Sequence, residues 1–419
     1  MNINSQKTPA NSRYWITTII IFFLGWVFIY AGRAVFSPVM QDVGRSFNID
    51  QAAIGGIMSL FYFAYTALQI PSGMMGDKVG RKRILVTGFF LYAVFMAAVS
   101  FAPNYTVFII FWMLAGAAQG TFYGPQYALS SEAIPKKWVA VGSAIIGSGM
   151  SFGIALGYNL SSIMTTRFET TWQQPFLVMA VPVFVLAIAM LIFIRERAPG
   201  LDEQEQEAKA QAAASGDAGN SGFSALFKNR NLVMAYIAIF CSIYGFFVII
   251  TWLPTYLVQQ RNMDPVYAAN VASIVPWISI IGTIFFSYLS DKLGKRKPIV
   301  LFMLPLSLIS IFGIVASEST AVLITVLVLY GFIGKISLNP VLLALCADNA
   351  PRASLSTAFG LYNFFGMSAS IAAPWLTGFI ADQTGNLNMS FYFAAAITII
   401  GIIAMLFVDE SKSPNRVAK

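Results

Sequence analysis

The sequence predicts an all-α membrane protein of twelve transmembrane helices, arranged as two pseudo-symmetric six-helix bundles. Three observations predict it. Of the 419 residues, 57% are hydrophobic and only 11% charged, against roughly 25% charged in a soluble domain. Twelve apolar runs are each long enough to cross a hydrocarbon core about 30 Å thick. The basic residues fall almost entirely on one side of those runs.

The runs lie near 15–41, 51–75, 83–101, 104–131, 138–164 and 174–194, then 231–258, 265–290, 298–316, 319–346, 353–380 and 388–408. Backbone groups in lipid must be satisfied within their own segment, so these are helices; they are numbered here as spans 1 to 12. Met1 to Tyr14 is polar and short. The first run is too long for a signal-peptide core and lacks a convincing cleavage site, so it is expected to stay as span 1.

With both termini in the cytoplasm, 21 of the 26 Lys and Arg residues face that side. The outer loops then hold Arg45, Arg167 and Arg261, while Arg33 and Lys335 fall within spans. This split sets the orientation and predicts a multi-pass protein of the cell inner membrane. It also explains the net charge of +8 as topology rather than nucleic-acid binding. Cys241 and Cys346 sit inside apolar runs and offer no disulfide framework, and there is no histidine. No metal site or cofactor is expected.

Residues 199–222, "PGLDEQEQEAKAQAAASGDAGNSG", are polar, acidic and rich in Ala, Gly and Ser. They read as a cytoplasmic linker, helical in part at 203–214 and otherwise flexible. The predicted organisation is a first bundle over 1–198, a linker over 199–226 and a second bundle over 227–419. The bundles repeat each other. "GDKVGRKR" at 76–83 recurs as "SDKLGKRK" at 290–297, and "SSEAIP" at 130–135 recurs as "LCADNAP" at 345–351. Two landmarks at nearly one offset indicate a duplicated unit. Six plus six helices related by an axis along the membrane normal is a transporter plan.

Two charges stand inside spans. Arg33 lies in span 1, in "FIYAGRAVFSP". A buried arginine is costly unless it is paired or lines a wet cavity, and its planar fork suits bidentate capture of a carboxylate. The alternative is snorkelling to the outer interface. Lys335 lies deep in span 10, in "LYGFIGKISLNPVLL", with no acid deep in any span to pair with it. The repeat maps it onto Gln119. With them, the candidate cavity lining is Tyr30, Tyr62, Tyr65, Gln69, Gln119, Tyr123, Gln126, Tyr158, Asn159, Tyr244, Trp252, Trp277, Asn339, Tyr362 and Asn363. A few polar groups in an apolar concave site fit recognition of a small ligand. Tyr123, Asn159 and Asn363 have the best case, because they sit mid-span beside glycines, while Tyr65, Gln126, Tyr158, Tyr244 and Trp277 are the weaker members left out of the predicted binding set. Gly142, Gly147, Gly149, Gly153 and Gly157 stud span 5, and predict close helix packing at the interface between the halves.

The loop "GMMGDKVGRK", Gly73 to Lys82, with its weaker copy "SYLSDKLGKR", resembles the loop signature of the major facilitator superfamily, and the likeness extends over essentially the whole chain. "FYFAYTALQIPSGMMGDKVGRK", "TWLPTYL" at 251–257 and the mid-helix Arg33 are similar to the anion:cation symporters, which include hexuronate, galactonate, phthalate and sialic-acid carriers. That resemblance implies alternating-access transport of a small organic anion by proton symport. It also implies a cytoplasmic latch of Asp77, Arg81 and Glu132, mirrored by Asp291, Lys295 or Arg296, and Asp348, of which Lys295 is taken as the base. The latch would close the cytoplasmic side in the outward-open state.

Three departures bear on coupling. The family often places an acid beside the span 1 arginine, a glutamate in span 4 and a further arginine there; these positions read Gly32, Gln119 and Trp112. A proton symporter ordinarily needs a titrating group in the membrane. Exchange of anions, facilitated diffusion, and a proton carried by the substrate or by Lys335 therefore remain open. Span 7 has no second arginine, which disfavours phosphate substrates, and span 5 lacks the Gly-Pro of drug antiporters. No nucleotide loop, metal cluster or nucleophile–base pair indicates an enzyme. The expected partners are a small organic anion, a proton or counter-anion, and the bilayer, for a protein acting as a monomer.

Overall fold

The computed structural model describes residues 14–135, 138–196, 223–350 and 355–413. Among these, every regular element is helical, and twelve helices are long and apolar enough to cross a membrane. Spans 1 to 6 are Tyr14–Phe47, Gln51–Gly73, Arg81–Val99, Tyr105–Ser130, Val141–Arg167 and Gln174–Phe193. Spans 7 to 12 are Arg230–Gln259, Pro265–Leu293, Lys297–Ala316, Thr320–Asn349, Ala358–Thr384 and Asn388–Leu406. Polar residues fix several of the starts. Spans 2, 4, 7, 8 and 10 follow Asp50, Asn104, Asn229, Asp264 and Ser319, whose side chains accept from first-turn N–H groups. Such caps satisfy donors that the helix itself leaves unpaired.

The differences from the sequence-derived runs lie at the ends. Span 1 continues past residue 41 to Phe47, so Arg45 sits in its last turn, paired with Asp42 at 2.5 Å, rather than in a loop. A short helix, Phe223–Lys228, begins inside the expected linker. The expected helical stretch at 203–214 lies outside the described residues.

The packing repeats itself. Span 1 packs along span 5, span 2 along span 4 and span 3 along span 6. Span 7 packs along span 11, span 8 along span 10 and span 9 along span 12. Between the two sets, span 2 meets span 11 and span 8 meets span 5. Each of these contacts has its counterpart under exchange of the halves, as a two-fold axis requires. Span 10 is broken at Gly334, whose backbone is extended, while spans 1, 4 and 8 loosen at Val35, Thr121–Phe122 and Ser273 with the backbone still in the helical region. Irregular backbone at that depth is tolerated where it lines a cavity or is covered by protein.

Three of the span 5 glycines, Gly149, Gly153 and Gly157, pack on span 1 within the first bundle rather than between the halves; Gly142 meets Ile134 and Ile19, and Gly147 lines the space between the halves. A Cβ on Gly149, Gly153 or Gly157 would overlap the carbonyl oxygens of Phe23, Val27 and Ala31 in turn. Their spacing of four residues follows one ridge of the helix, so two backbones meet where side chains would hold them apart. Gly153→Val is expected to destabilise the fold by about 1–3 kcal/mol through overpacking. A lowered unfolding temperature of the detergent-solubilised protein, against an unchanged one for a valine at Gly147, where nothing lies within 4 Å, checks this.

One end of the molecule carries both termini. At the far end the halves are sealed by hydrogen bonds. Asp382, in the last turn of span 11, accepts from the backbone N–H groups of Gln51 and Ala52 at 3.0 and 2.7 Å. Ser37 of span 1 donates to the Thr251 carbonyl and its own carbonyl accepts from Thr255 at 3.2 Å. Tyr158 donates to the Ile250 carbonyl, and Ser59 accepts from Trp375 N–H at 3.1 Å.

Candidate substrate cavity

Between the halves lies a cavity of about 510 Å³. Its lining comes from the middle and the terminal half of spans 1, 2, 4, 5, 7, 8, 10 and 11. It therefore faces the end that carries the termini, while the far end is closed.

Eight of the predicted residues meet there: Arg33, Lys335, Tyr30, Gln69, Tyr123, Asn339, Tyr362 and Asn363. The weaker candidate Tyr65 joins them. The first bundle supplies Arg33 and the second supplies Lys335. Arg33 is buried, 4% exposed, so it does not snorkel. Its Nε donates to Gln119 Oε1 at 2.7 Å. Its carbon Cζ lies over the rings of Tyr65, Tyr30, Tyr62 and Phe61 at 4.3, 5.0, 5.5 and 5.6 Å. Aromatic faces stabilise a cation without supplying a counter-charge. Its Nη2 has no hydrogen-bond partner among the described residues. A buried donor of a charged group left unpaired costs several kcal/mol in ordinary packing, and this nitrogen is itself buried.

Lys335 is the first residue of the helical segment Lys335–Asn349, directly after the break at Gly334. A helix N-terminus is the positive end of its dipole, and a cation there is of the unfavourable sign. The Lys335 Nζ lies 5.2 Å from the Phe246 ring centre. Charge and dipole thus meet at the cavity wall in the second bundle. Around them Tyr362 donates to Asn339 Oδ1 at 3.1 Å, and Asn363 of span 11 donates to Gln69 of span 2 at 3.2 Å, crossing the halves.

Four predicted lining residues lie elsewhere. Gln119 is buried behind Arg33, held by its own donation to the Ile29 carbonyl at 3.4 Å. Tyr62 is buried over the guanidinium rather than in the cavity. Trp252 is wholly buried and donates to the Pro374 carbonyl at 3.1 Å, so its indole serves packing between spans 7 and 11. Asn159 donates to Ser273 Oγ at 3.3 Å, joining span 5 to the loosened turn of span 8. Of the weaker candidates, Gln126 accepts from Trp26 at 3.2 Å, Tyr158 belongs to the far-end seal, Tyr244 is buried, and Trp277 packs on Phe152. Sequence reasoning missed Trp26 and Tyr127. Helical spacing could have found both: Trp26 precedes Tyr30 by four residues, and Tyr127 follows Tyr123 by four.

At the terminal end, Arg81 pairs with Glu132. The side chain of Asp77 lies outside the described residues. In the second copy the base is Arg296, not Lys295. Arg296 reaches Asp291 at 2.9 Å and Asp348 at 3.2 Å, whereas Lys295 is exposed. The reason is local. Span 3 begins directly after Gly80, but span 9 begins three residues after Gly294, so the matching guanidinium comes one position later. Two acids missed by the sequence reading close each copy. Glu196, after span 6, accepts from Lys82 N–H at 3.2 Å; Glu410, after span 12, accepts from Arg296 and Lys297 N–H at 2.5 and 2.8 Å.

The comparisons with known proteins agree with this geometry. The profile of the Major Facilitator Superfamily matches residues 22–374 and 337–419. A probable galactarate/D-glucarate transporter of Bacillus subtilis, GudP, is 27% identical over 96% of this chain and 94% of its own. A probable galactarate/D-glucarate transporter of Escherichia coli K12, GarP, is 26% identical over 97% and 96%. A hexuronate transporter of Bacillus subtilis is 24% identical over 93% and 94%. Among solved structures, the xylose transporter XylE from E. coli, in an inward-open conformation, superimposes with a TM-score of 0.77 at 16% identity, over 96% of this chain and 98% of that one. The chain is a multi-pass membrane transporter, and it belongs to the Major Facilitator Superfamily.

Proposed function

We propose that the chain carries a small organic anion, a carboxylate of the sugar-acid class, across the cytoplasmic membrane by alternating access. Both termini face the cytoplasm, and the far-end seal is periplasmic, so the cavity faces inward. The observation that carries the reading is the pair of cations, Arg33 and Lys335, one on each bundle, meeting at one cavity with no acidic side chain in its described lining. Relatives named as galactarate, glucarate and hexuronate transporters support the same class. Arg33 offers a fork for one carboxylate; Lys335 and the helix end beside it offer a second positive point. The ion pairs of Arg81 with Glu132 and of Arg296 with Asp291 and Asp348 each lie within one bundle in this inward-facing state; in the opposite state the ends they brace would meet across the halves as a latch. One chain is sufficient, since the whole cavity lies within it.

A thermal-shift screen of the purified protein against monocarboxylates, sugar acids, dicarboxylates and sugar phosphates tests the reading. A sugar acid at a hundred times its Kd should stabilise the folded state by about 2.7 kcal/mol. Lys335→Ala should weaken that binding by about 1.5–3 kcal/mol, the worth of a hydrogen bond to a charged group. No shift with any carboxylate, or shifts that survive Lys335→Ala unchanged, would refute the anion assignment.

A further inference from the structure

We infer that this carrier is an exchanger: it returns across the membrane loaded with a second anion, and moves no proton with its substrate. The inference rests on the anion reading above and concerns what drives the cycle.

The first observation is that no carboxylate and no histidine stands at the cavity to take up a proton. The chain has no histidine. Every one of its acids lies in a loop, in the stretch 199–222, or within the last two turns of a span. At the cavity itself the side chain that touches the arginine is an amide. Gln119 Oε1 takes the Arg33 Nε hydrogen bond at 2.7 Å, which aims the guanidinium as a carboxylate would but leaves its charge uncancelled. The other groups against Arg33 are the rings of Tyr30, Tyr62, Tyr65 and Phe61, none of them a carboxylate. Lys335 lies against Phe246, and no residue of the described cavity lining carries a negative charge.

The second observation is where the two charges sit. The cavity is at mid-depth and the bundles must close over it, with loss of its water, whenever the carrier changes face. Closing it loaded pairs both cations with the anion. Closing it empty leaves Arg33 Nη2 without the partner it already lacks, and Lys335 at a positive helix end. Uncompensated charge in that environment is strongly disfavoured. The substrate is therefore the counter-charge that permits the transition, in both directions. A proton symporter would need the reverse arrangement, an acid that neutralises the cations when the site is empty.

The test uses the full-length protein in proteoliposomes with radiolabelled D-glucarate and D-galacturonate. Three interiors are compared: buffer alone, buffer with an imposed inward pH gradient, and the same unlabelled anion inside. Internal anion should accelerate uptake by at least about tenfold over either anion-free interior, because each 1.4 kcal/mol on the empty return is a factor of ten. The pH gradient should add nothing, and a protonophore should leave exchange unchanged. Concentrative uptake into anion-free vesicles driven by the pH gradient would overturn the inference while leaving the transport reading intact. No uptake of either probe in any arm, with no thermal shift from either, would overturn both.

Discussion

Arg33→Ala is expected to abolish substrate binding and uptake while leaving the protein folded. The guanidinium is buried, its Nε is held by Gln119, and its Nη2 points to no protein acceptor. Truncating one partner of a buried charge pair typically costs about 2–5 kcal/mol, or roughly thirty- to several-thousand-fold in affinity. Folding should survive, because losing the unpaired Nη2 donor relieves a cost that offsets the lost partner of Gln119 Oε1. Arg33→Lys should recover only part of the affinity: it restores charge but neither the fork nor the Gln119 bond. Gln119→Glu acts from behind the same group. A carboxylate at that position would pair with the guanidinium and compete with the substrate, so binding at neutral pH should weaken by about tenfold or more. Isothermal titration of the three variants against the best anion of the screen checks the order. Binding of wild-type strength by Arg33→Ala would remove the arginine from the site.

Gly378→Val is expected to break the far-end seal and shift the carrier toward the opposite face. Here spans 2 and 11 touch backbone to backbone. A Cβ at Gly378 would overlap the Gln51 carbonyl, and one at Gly55 would overlap that of Pro374. The same contact holds the Asp382 bonds to Gln51 and Ala52. A wedge worth about 1–3 kcal/mol spent against one of two states changes their ratio by roughly five- to more than a hundredfold. The readout is labelling of Ser37→Cys by a membrane-impermeant maleimide applied from the side of the far-end seal. Native Cys241 and Cys346 are buried and free, so background is low. Faster labelling in the Gly378→Val background is the expected result; an unchanged rate in folded protein would show that the glycines serve packing alone.

The helices were legible because lipid imposes one pattern, a long apolar run, that no soluble segment imitates. The duplication was legible because charges recur at one offset where spans end. Arg33 and Lys335 stood out because charge inside such a run has few reasons to exist. What the sequence hid were relations between spans. Trp252 and Asn159 have the composition of cavity residues but point into helix contacts, and a mid-span polar residue on one strand of text carries no sign of which neighbour it faces. The glycine ridge of span 5 announced a close approach without naming span 1 as its object. Glu196 and Glu410 lie far in sequence from the helix starts they cap, and no local motif marks that partnership. The shift from Lys295 to Arg296 came from two residues of extra loop, too small for an offset between repeats to reveal.

The division of the two cations between bundles has a consequence for cargo length. Arg33 rides on a span locked to its neighbour by the glycine ridge, while Lys335 rides on the other body. Their separation is thus the opening of a caliper whose hinge is the transport cycle itself. A molecule carrying a negative group at each end can grip both jaws and draw them together as they close; a molecule with one such group can hold a single jaw and leaves the other unclamped.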